Sequence, residues 1–210
     1  KLREERINDN IPNTILLLEH EPIYTIGKDL VEEKALITGK LPAPIVQVNR
    51  GGKITYHGPG QLMGYFICKI PFLEIGTFVD ALEQLTIDLV QDYGISAYSR
   101  KGEQDSYGKN IRGAWCLVEK MHKKIAAQGM ETRSAGVNPE GDHFVVTMHG
   151  FALNITTDLR FFKYINPCGF TYDVMTSMKE VLGKTGKTPS LTRVKQNCRE
   201  RIKEVFKTIL

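Results

Sequence analysis

No stretch of this sequence approaches the roughly 20 consecutive apolar residues that cross a bilayer, and its opening, Lys1-Leu2-Arg3-Glu4-Glu5-Arg6, lacks the apolar core of a secretory signal. A protein of the cytoplasm, or of the mitochondrial matrix in a eukaryote, without membrane contact is the expectation. The start at Lys1 leads us to expect a native N-terminus further upstream. Cysteine is scarce: Cys68, Cys116, Cys168 and Cys198 form no C-x-x-C pair, which argues against zinc and against a dithiol redox motif. The glycine-rich segment from Arg50 to Gln61 holds neither G-x-G-x-x-G opening a helix nor G-K-[ST], so it is neither of the two common phosphate-cradling loops. No metal and no cofactor is expected. Internal repeats and low-complexity tracts are absent as well.

What remains is an ordinary globular composition, 41% hydrophobic, 25% charged and 9% aromatic over 210 residues. That length buries one substantial core and is short for two complete enzyme domains, so residues 1–210 are expected to form a single domain with a basic helical region from about residue 171. The net charge of +4 is uneven: residues 1–170 hold 19 basic and 20 acidic side chains, and residues 171–210 hold 9 and 4. A basic tail of this kind is most simply a solvated helix face, and it also suits an acidic protein partner. Aromatics do not interleave with its basic residues as in single-strand binders, so nucleic acid is not expected as a partner.

The pattern reads as α+β, a mixed and largely antiparallel sheet with a few helices against it. Short β-prone runs occur at residues 13–19, 22–27, 45–49, 53–57, 62–70, 110–118, 124–129 and 144–154. The polar stretch Glu131 to Asp142 reads as a surface loop. A helix is expected from Thr77, with Thr77 and Asp80 as a capping pair and Phe78, Leu82, Leu85 and Leu89 on its inner face, stopping at Gly94. A second is expected from Ser190, with Val194, Cys198, Ile202, Val205 and Ile209 facing inward.

Three of the cysteines sit in apolar settings where a free thiol acts as a small buried hydrophobe. Cys168 differs, because Asn166-Pro167-Cys168-Gly169 places its sulfur on a turn. A thiol of reference pKa near 8.5 is only a few per cent thiolate at neutral pH, so a nucleophilic role needs a partner. Lys124, opening Lys124-Ile125-Ala126-Ala127, is one candidate: an ammonium favours the thiolate, and a desolvated lysine can exchange protons during acyl transfer. His57 and His149 are the competing bases, and each histidine equally suits a structural hydrogen bond. The segment from Arg50 to Gln61 packs four glycines and a proline among polar residues. It suits a crevice that a ligand enters closely, and equally two tight turns around a hairpin.

Taken together, Leu18-Glu19-His20-Glu21-Pro22-Ile23-Tyr24-Thr25-Ile26-Gly27, the segment Arg50 to Gln61, Lys124-Ile125-Ala126-Ala127, Met148-His149-Gly150-Phe151-Ala152-Leu153-Asn154 and Asn166-Pro167-Cys168-Gly169 closely resemble the lipoyl(octanoyl) transferase family, in that family's order, over roughly residues 13 to 178. The resemblance implies the fold of the lipoate and biotin protein ligases. It also implies transfer of octanoyl from acyl carrier protein to a lysine of lipoyl domains, in 2-oxoacid dehydrogenase subunits and the glycine cleavage H protein. By the same resemblance Cys168 is the acyl-thioester nucleophile and Lys124 the lysine that tunes it. The acyl-binding walls are Arg50, Gly51, Gly52, Lys53, Ile54, Thr55, Tyr56 and His57, then Ala127, Gln128 and Gly129, then Gly150, Phe151 and Ala152, with His149 in support. The sequence departs from the family at Gln128, where an apolar residue is usual, and in the length of the segment from Glu131 to Asp142. Two other readings stand beside this one. An amidotransferase moving octanoyl or lipoyl between lipoyl-domain proteins would use the same cysteine, and a non-catalytic module would only hold the carrier protein.

Overall fold

The computed structural model describes residues 1–27, 37–105, 108, 110–167, 170–183 and 187–207. Among these described residues ten strands and four helices follow in order: α1 (Leu2–Ile7), β1 (Thr14–Leu18), β2 (Ile23–Ile26), β3 (Ile45–Gln47), β4 (Thr55–His57), β5 (Gln61–Ile67), β6 (Lys69–Pro71), α2 (Ile75–Gln91), β7 (Ala97–Ser99), β8 (Ala114–Val118), β9 (Met121–Val137), β10 (His143–Asn154), α3 (Met178–Leu182) and α4 (Leu191–Val205). The large sheet runs β1-β5-β10-β9-β8-β7, with β6 also paired to β10. All its pairings are antiparallel. A small sheet, β3-β2-β4, holds a parallel pair, β2 with β3. The α+β class with mixed, largely antiparallel sheets is as the sequence pattern indicates. Among the described residues no helix is long and apolar enough to cross a membrane.

Alternation along β5 assigns the two faces of the large sheet. Leu62 and Phe66 enter a core with Phe78, Leu82, Leu85 and Leu89 of α2 and Val194 and Cys198 of α4. Met63 and Tyr65 turn to the other face, where the small sheet lies. A second core forms behind the small sheet from Tyr24, Ile54 and Tyr56 with Phe162, Ile165 and Met175. Of the inner-face residues expected on α4, Ile202 and Val205 pack against the first core, and Ile209 lies outside the described residues. Cys68, Cys116 and Cys198 are buried free thiols, as their apolar settings imply.

Several boundaries differ from the sequence reading. α2 begins at Ile75, two residues before Thr77, because a 3-10 turn at Phe72–Glu74 feeds straight into it; its N-terminus has no side-chain cap. The run from Leu62 to Ile70 is broken at Cys68, where Thr147 Oγ1 accepts from Cys68 N at 3.1 Å and donates to Phe66 O at 2.7 Å. The expected loop from Glu131 to Asp142 is mostly strand. β9 continues to Val137, paired in register with β10 as far as Ser134 and again, after a shift in register, at Val137 with His143, and only residues 138–142 turn. Two ion pairs from α1, Arg3 with Glu131 at 2.6 Å and Arg133 with Glu4 at 2.5 Å, hold this polar half of β9 in place. Residues 171–177 are a 3-10 turn and extended chain, with helix starting only at Met178.

The start of α4 follows the sequence closely: Ser190 is its N-cap, accepting from Arg193 N at 3.3 Å. Ser190→Ala removes that acceptor, and chemical denaturation is expected to show a loss of about 1 kcal/mol.

Candidate active site

Between the two sheets lies a crevice of about 540 Å³, open mouth included. Arg50, Gly52, Lys53, Thr55 and His57 form one wall and Ala127, Gln128, Gly129, His149, Gly150, Phe151 and Ala152 the other, with Thr25, Val48, Met63 and Tyr65 completing it. Most of the residues singled out from the sequence therefore meet in one place. Ile54 and Tyr56 do not line it: the period-2 alternation that turns Thr55 and His57 inward sends these two into the second core. Gly51 is exposed at the rim, where its N–H donates to Met130 O at 3.0 Å. This clasp needs Gly129, whose added Cβ would sit 2.9 Å from Gly51 O. Thr25, Met63 and Tyr65 were not singled out; the alternation of β5 against its core residues Leu62 and Phe66 is the signal that marks Met63 and Tyr65.

A hydrogen-bonded chain runs from the crevice wall into the protein. Arg50 Nη2 donates to Thr25 Oγ1 at 2.8 Å and to Thr25 O at 2.9 Å, while Nη1 donates to Lys53 O at 2.9 Å. Thr25 Oγ1 meets His57 Nε2 at 3.3 Å, and His57 Nδ1 meets Gln61 Oε1 at 2.8 Å. Gln61 Nε2 donates to Asn154 Oδ1 at 2.8 Å, and Asn154 Nδ2 donates to Thr176 O at 3.0 Å. Thr176 N then donates to Lys124 O at 3.0 Å. Because the Gln61 amide nitrogen is committed to Asn154, its oxygen faces His57, so Nδ1 carries the proton and Nε2 accepts from the Thr25 hydroxyl. Burial drives His57 down to about 3 against the raising effect of the Gln61 hydrogen bond, with Arg50 adding to the fall. His149 is lowered by burial first and then by Arg50, and His20 by burial. His20 Nε2 lies 2.6 Å from Tyr65 Oη, so a third neutral imidazole stands beside the crevice.

Lys124 is buried, 4% exposed, in the middle of the large sheet. It is not the solvated strand end that lysine usually makes. The register across β8 and β9 pairs Ala114 with Ala126 but Trp115 with Lys124. One extra residue is thus accommodated on β9, a β-bulge. Ile125 and Ala126 consequently both enter the helix-covered core, and Lys124 and Ala127, three apart, share the crevice face. The same count returns Gln128 to the core face opposite Phe151. Its amide atoms are shielded from solvent and find no hydrogen-bond partner among the described residues. Cys168 and Gly169 lie outside the described residues. Of their neighbours, Phe170 N donates to Pro167 O at 3.0 Å, and the chain beyond returns to β9 through a bridge between Met175 and Lys124. Among the described residues no cluster of three or more His, Cys, Asp or Glu is arranged to hold a metal ion.

A family model for the lipoyl protein ligase A/B catalytic domain matches residues 1–203. The chain belongs to this family. Among the family's curated members, the octanoyltransferase of Thermobifida fusca is 37% identical over 190 residues, 88% of this chain and 72% of that one. The octanoyltransferase of Frankia casuarinae is 35% identical over 201 residues, 94% and 84% of the two chains. A lipoate protein ligase of Thermoplasma acidophilum with bound lipoic acid shares the fold, with a TM-score of 0.65 and 15% identity over 98% of this chain and 79% of its own.

Two measurements follow from this family member's buried polar groups. With His57 held near 3 when folded and near 6.5 when unfolded, the unfolded chain alone takes up the proton as pH drops below 6.5. Stability is then lost toward acid, by about 2 kcal/mol at pH 5 from this residue; urea melts at pH 7 and pH 5 should show that loss, and His57→Gln should shrink it. Gln128→Leu replaces an unpartnered amide with an apolar group on the core face and is expected to raise stability by about 1–3 kcal/mol, read as a higher melting temperature.

Proposed function

We propose that this protein is an acyltransferase that moves an octanoyl group from acyl carrier protein to a specific lysine of lipoyl domains, through an acyl-thioester on Cys168. The observation that carries the reading is the placing of a buried lysine, Lys124, on the same face of β9 as the crevice wall at Ala127, in a chain whose relatives are octanoyltransferases. The apolar surfaces of Met63, Ala127 and Ala152 suit a saturated acyl chain. Residues 1–210 act as one catalytic domain, in the cytoplasm or, in a eukaryote, the mitochondrial matrix.

In the first half-reaction the Cys168 thiolate attacks the carbonyl carbon of the donor thioester. The C–S bond to the carrier breaks, and its thiolate leaves with a proton from Lys124. In the second, the amine of the acceptor lysine attacks the Cys168 thioester, passes a proton to Lys124, and expels the Cys168 thiolate. The donor is already activated and the amide product lies downhill, so no nucleotide or metal enters either step. His57 and His149, held neutral and low by burial, are poor proton stores at neutral pH, which leaves Lys124 as the acid and base. The 2-oxoacid dehydrogenase subunits and the glycine cleavage H protein supply the acceptor lysines.

Incubation with octanoyl carrier protein is expected to add about 126 Da to the Cys168 peptide, the mass of an octanoyl group replacing hydrogen on a thiol. Cys168→Ser should abolish transfer. Full transfer by that variant would sink the mechanism. An octanoylated lipoyl domain that served as donor better than the carrier protein would instead mark an amidotransferase.

A further inference from the structure

We propose that Trp115 is a positioning residue for Lys124, its indole face holding the ammonium on the crevice side of β9 while the same ring bears on the segment that follows Cys168. The inference rests on the roles proposed for Lys124 and Cys168. Trp115 and Lys124 are direct cross-strand partners, so the register that makes the bulge also sets the indole beside the lysine. Lys124 Nζ lies 5.4 Å from the indole centroid, inside the range in which a cation is drawn to an aromatic face. Phe170, two positions after Cys168 in sequence, meets the same ring in a T-shaped contact at 5.4 Å. The indole is fully buried, so it is a fixed platform.

The backbone beside it narrows the choices of the lysine stem further. Gly113 has φ +108, and a Cβ there would lie 2.9 Å from Lys124 Cε and 2.3 Å from Ala126 O. Gly113 is held by Glu83, a buried carboxylate on α2 whose Oε1 accepts its N–H at 2.7 Å. The stem is thus confined between Gly113 and Trp115. A second cation, Arg100, stands 4.7 Å from the indole centroid, and its charge is balanced by Glu103 at 2.5 Å. The indole N–H is buried and has no hydrogen-bond partner among the described residues, whereas a buried Trp usually finds one. Phenylalanine would fill space here without that cost. What tryptophan adds is the strongest aromatic face for a cation.

The test uses the intact enzyme and three readouts. Trp115 is the single tryptophan, so its fluorescence reports the contact directly: Lys124→Met is expected to change the emission, and so is octanoylation of the wild type. Trp115→Leu is expected to lower kcat by roughly 3- to 30-fold, the range set by loss of a desolvated cation–aromatic contact. KM for the octanoyl donor should stay within about twofold, and the midpoint of Cys168 alkylation against pH should move up toward that of an ordinary thiol. Trp115→Phe keeps an aromatic face and should restore most of the rate and the wild-type midpoint. Unchanged emission in Lys124→Met overturns the proposal even where Trp115→Leu fails to fold, and so does a folded Trp115→Leu with the wild-type midpoint. A wild type that forms no Cys168 adduct but whose emission still responds to Lys124→Met would defeat the covalent mechanism and leave the contact standing.

Discussion

The site depends on one irregularity, the extra residue that β9 carries at Ile125 and Ala126. A regular strand would place Lys124, Ala126 and Gln128 on one face and Ile125, Ala127 and Gly129 on the other. Lys124 would then be separated from the crevice wall by the thickness of the sheet. With the bulge, two successive apolar residues enter the core against α2, and the lysine shares a face with Ala127. The departure from the family at residue 128 is accommodated by the same count. The side chain there belongs to the core face opposite Phe151, and the crevice is walled at this level by Ala127 and Gly129, which hardly reach into it.

The bulge alone would leave β9 free to slide, and long-range hydrogen bonds remove that freedom. Thr176 N binds Lys124 O, Asn154 holds Thr176 O, and Gln61, His57 and Thr25 continue the line to Arg50 at the crevice wall. Lys123 adds a second tie to the same segment through Asp173 O. Six of these residues, Thr25, His57, Gln61, Lys124, Asn154 and Thr176, are buried. Losing one partner would strand the next one without a hydrogen bond, which costs far more than the net worth of a single bond. The segment downstream of Cys168 and the lysine on β9 are therefore set by the same network that shapes the crevice.

Much of the fold was legible in the sequence, for reasons that are local. The 4-3-4 spacing of Phe78, Leu82, Leu85 and Leu89 marks the buried face of α2, and Ser190 marks the start of α4. The outer half of β9 was not legible, because Glu131, Thr132, Arg133 and Ser134 are polar enough to read as loop. They are strand through pairing with β10 and ion pairs to α1, contacts made by residues far away in sequence. At the site, the glycine-rich segment and the lysine were visible as residue types. Which of Lys53 to His57 face the crevice follows from alternation once β4 is known. The bulge and the Trp115 partnership could not be seen, since both depend on the register between β8 and β9, which no local pattern in Ile125-Ala126 encodes.

That register also bears on how the proposed site would accommodate an apolar chain and a proton carrier at once. A cation facing an acyl chain in a confined crevice would be poorly solvated and would resist the chain's entry. Here the imidazoles around the crevice are kept neutral by burial, and the Arg50 guanidinium spends its donors on Thr25 and on the backbone of Gly51 and Lys53. On the mechanism proposed above, the charge for thioester exchange sits further along the strand at Lys124, where an aromatic face replaces part of the water that the ammonium has lost. Three residues of β9, with one bulge between them, thus separate a wall suited to hydrocarbon from a cation suited to a thiolate. A longer separation would take Lys124 beyond the segment that Thr176 and Asn154 tie to it, and a shorter one would put the ammonium into the crevice.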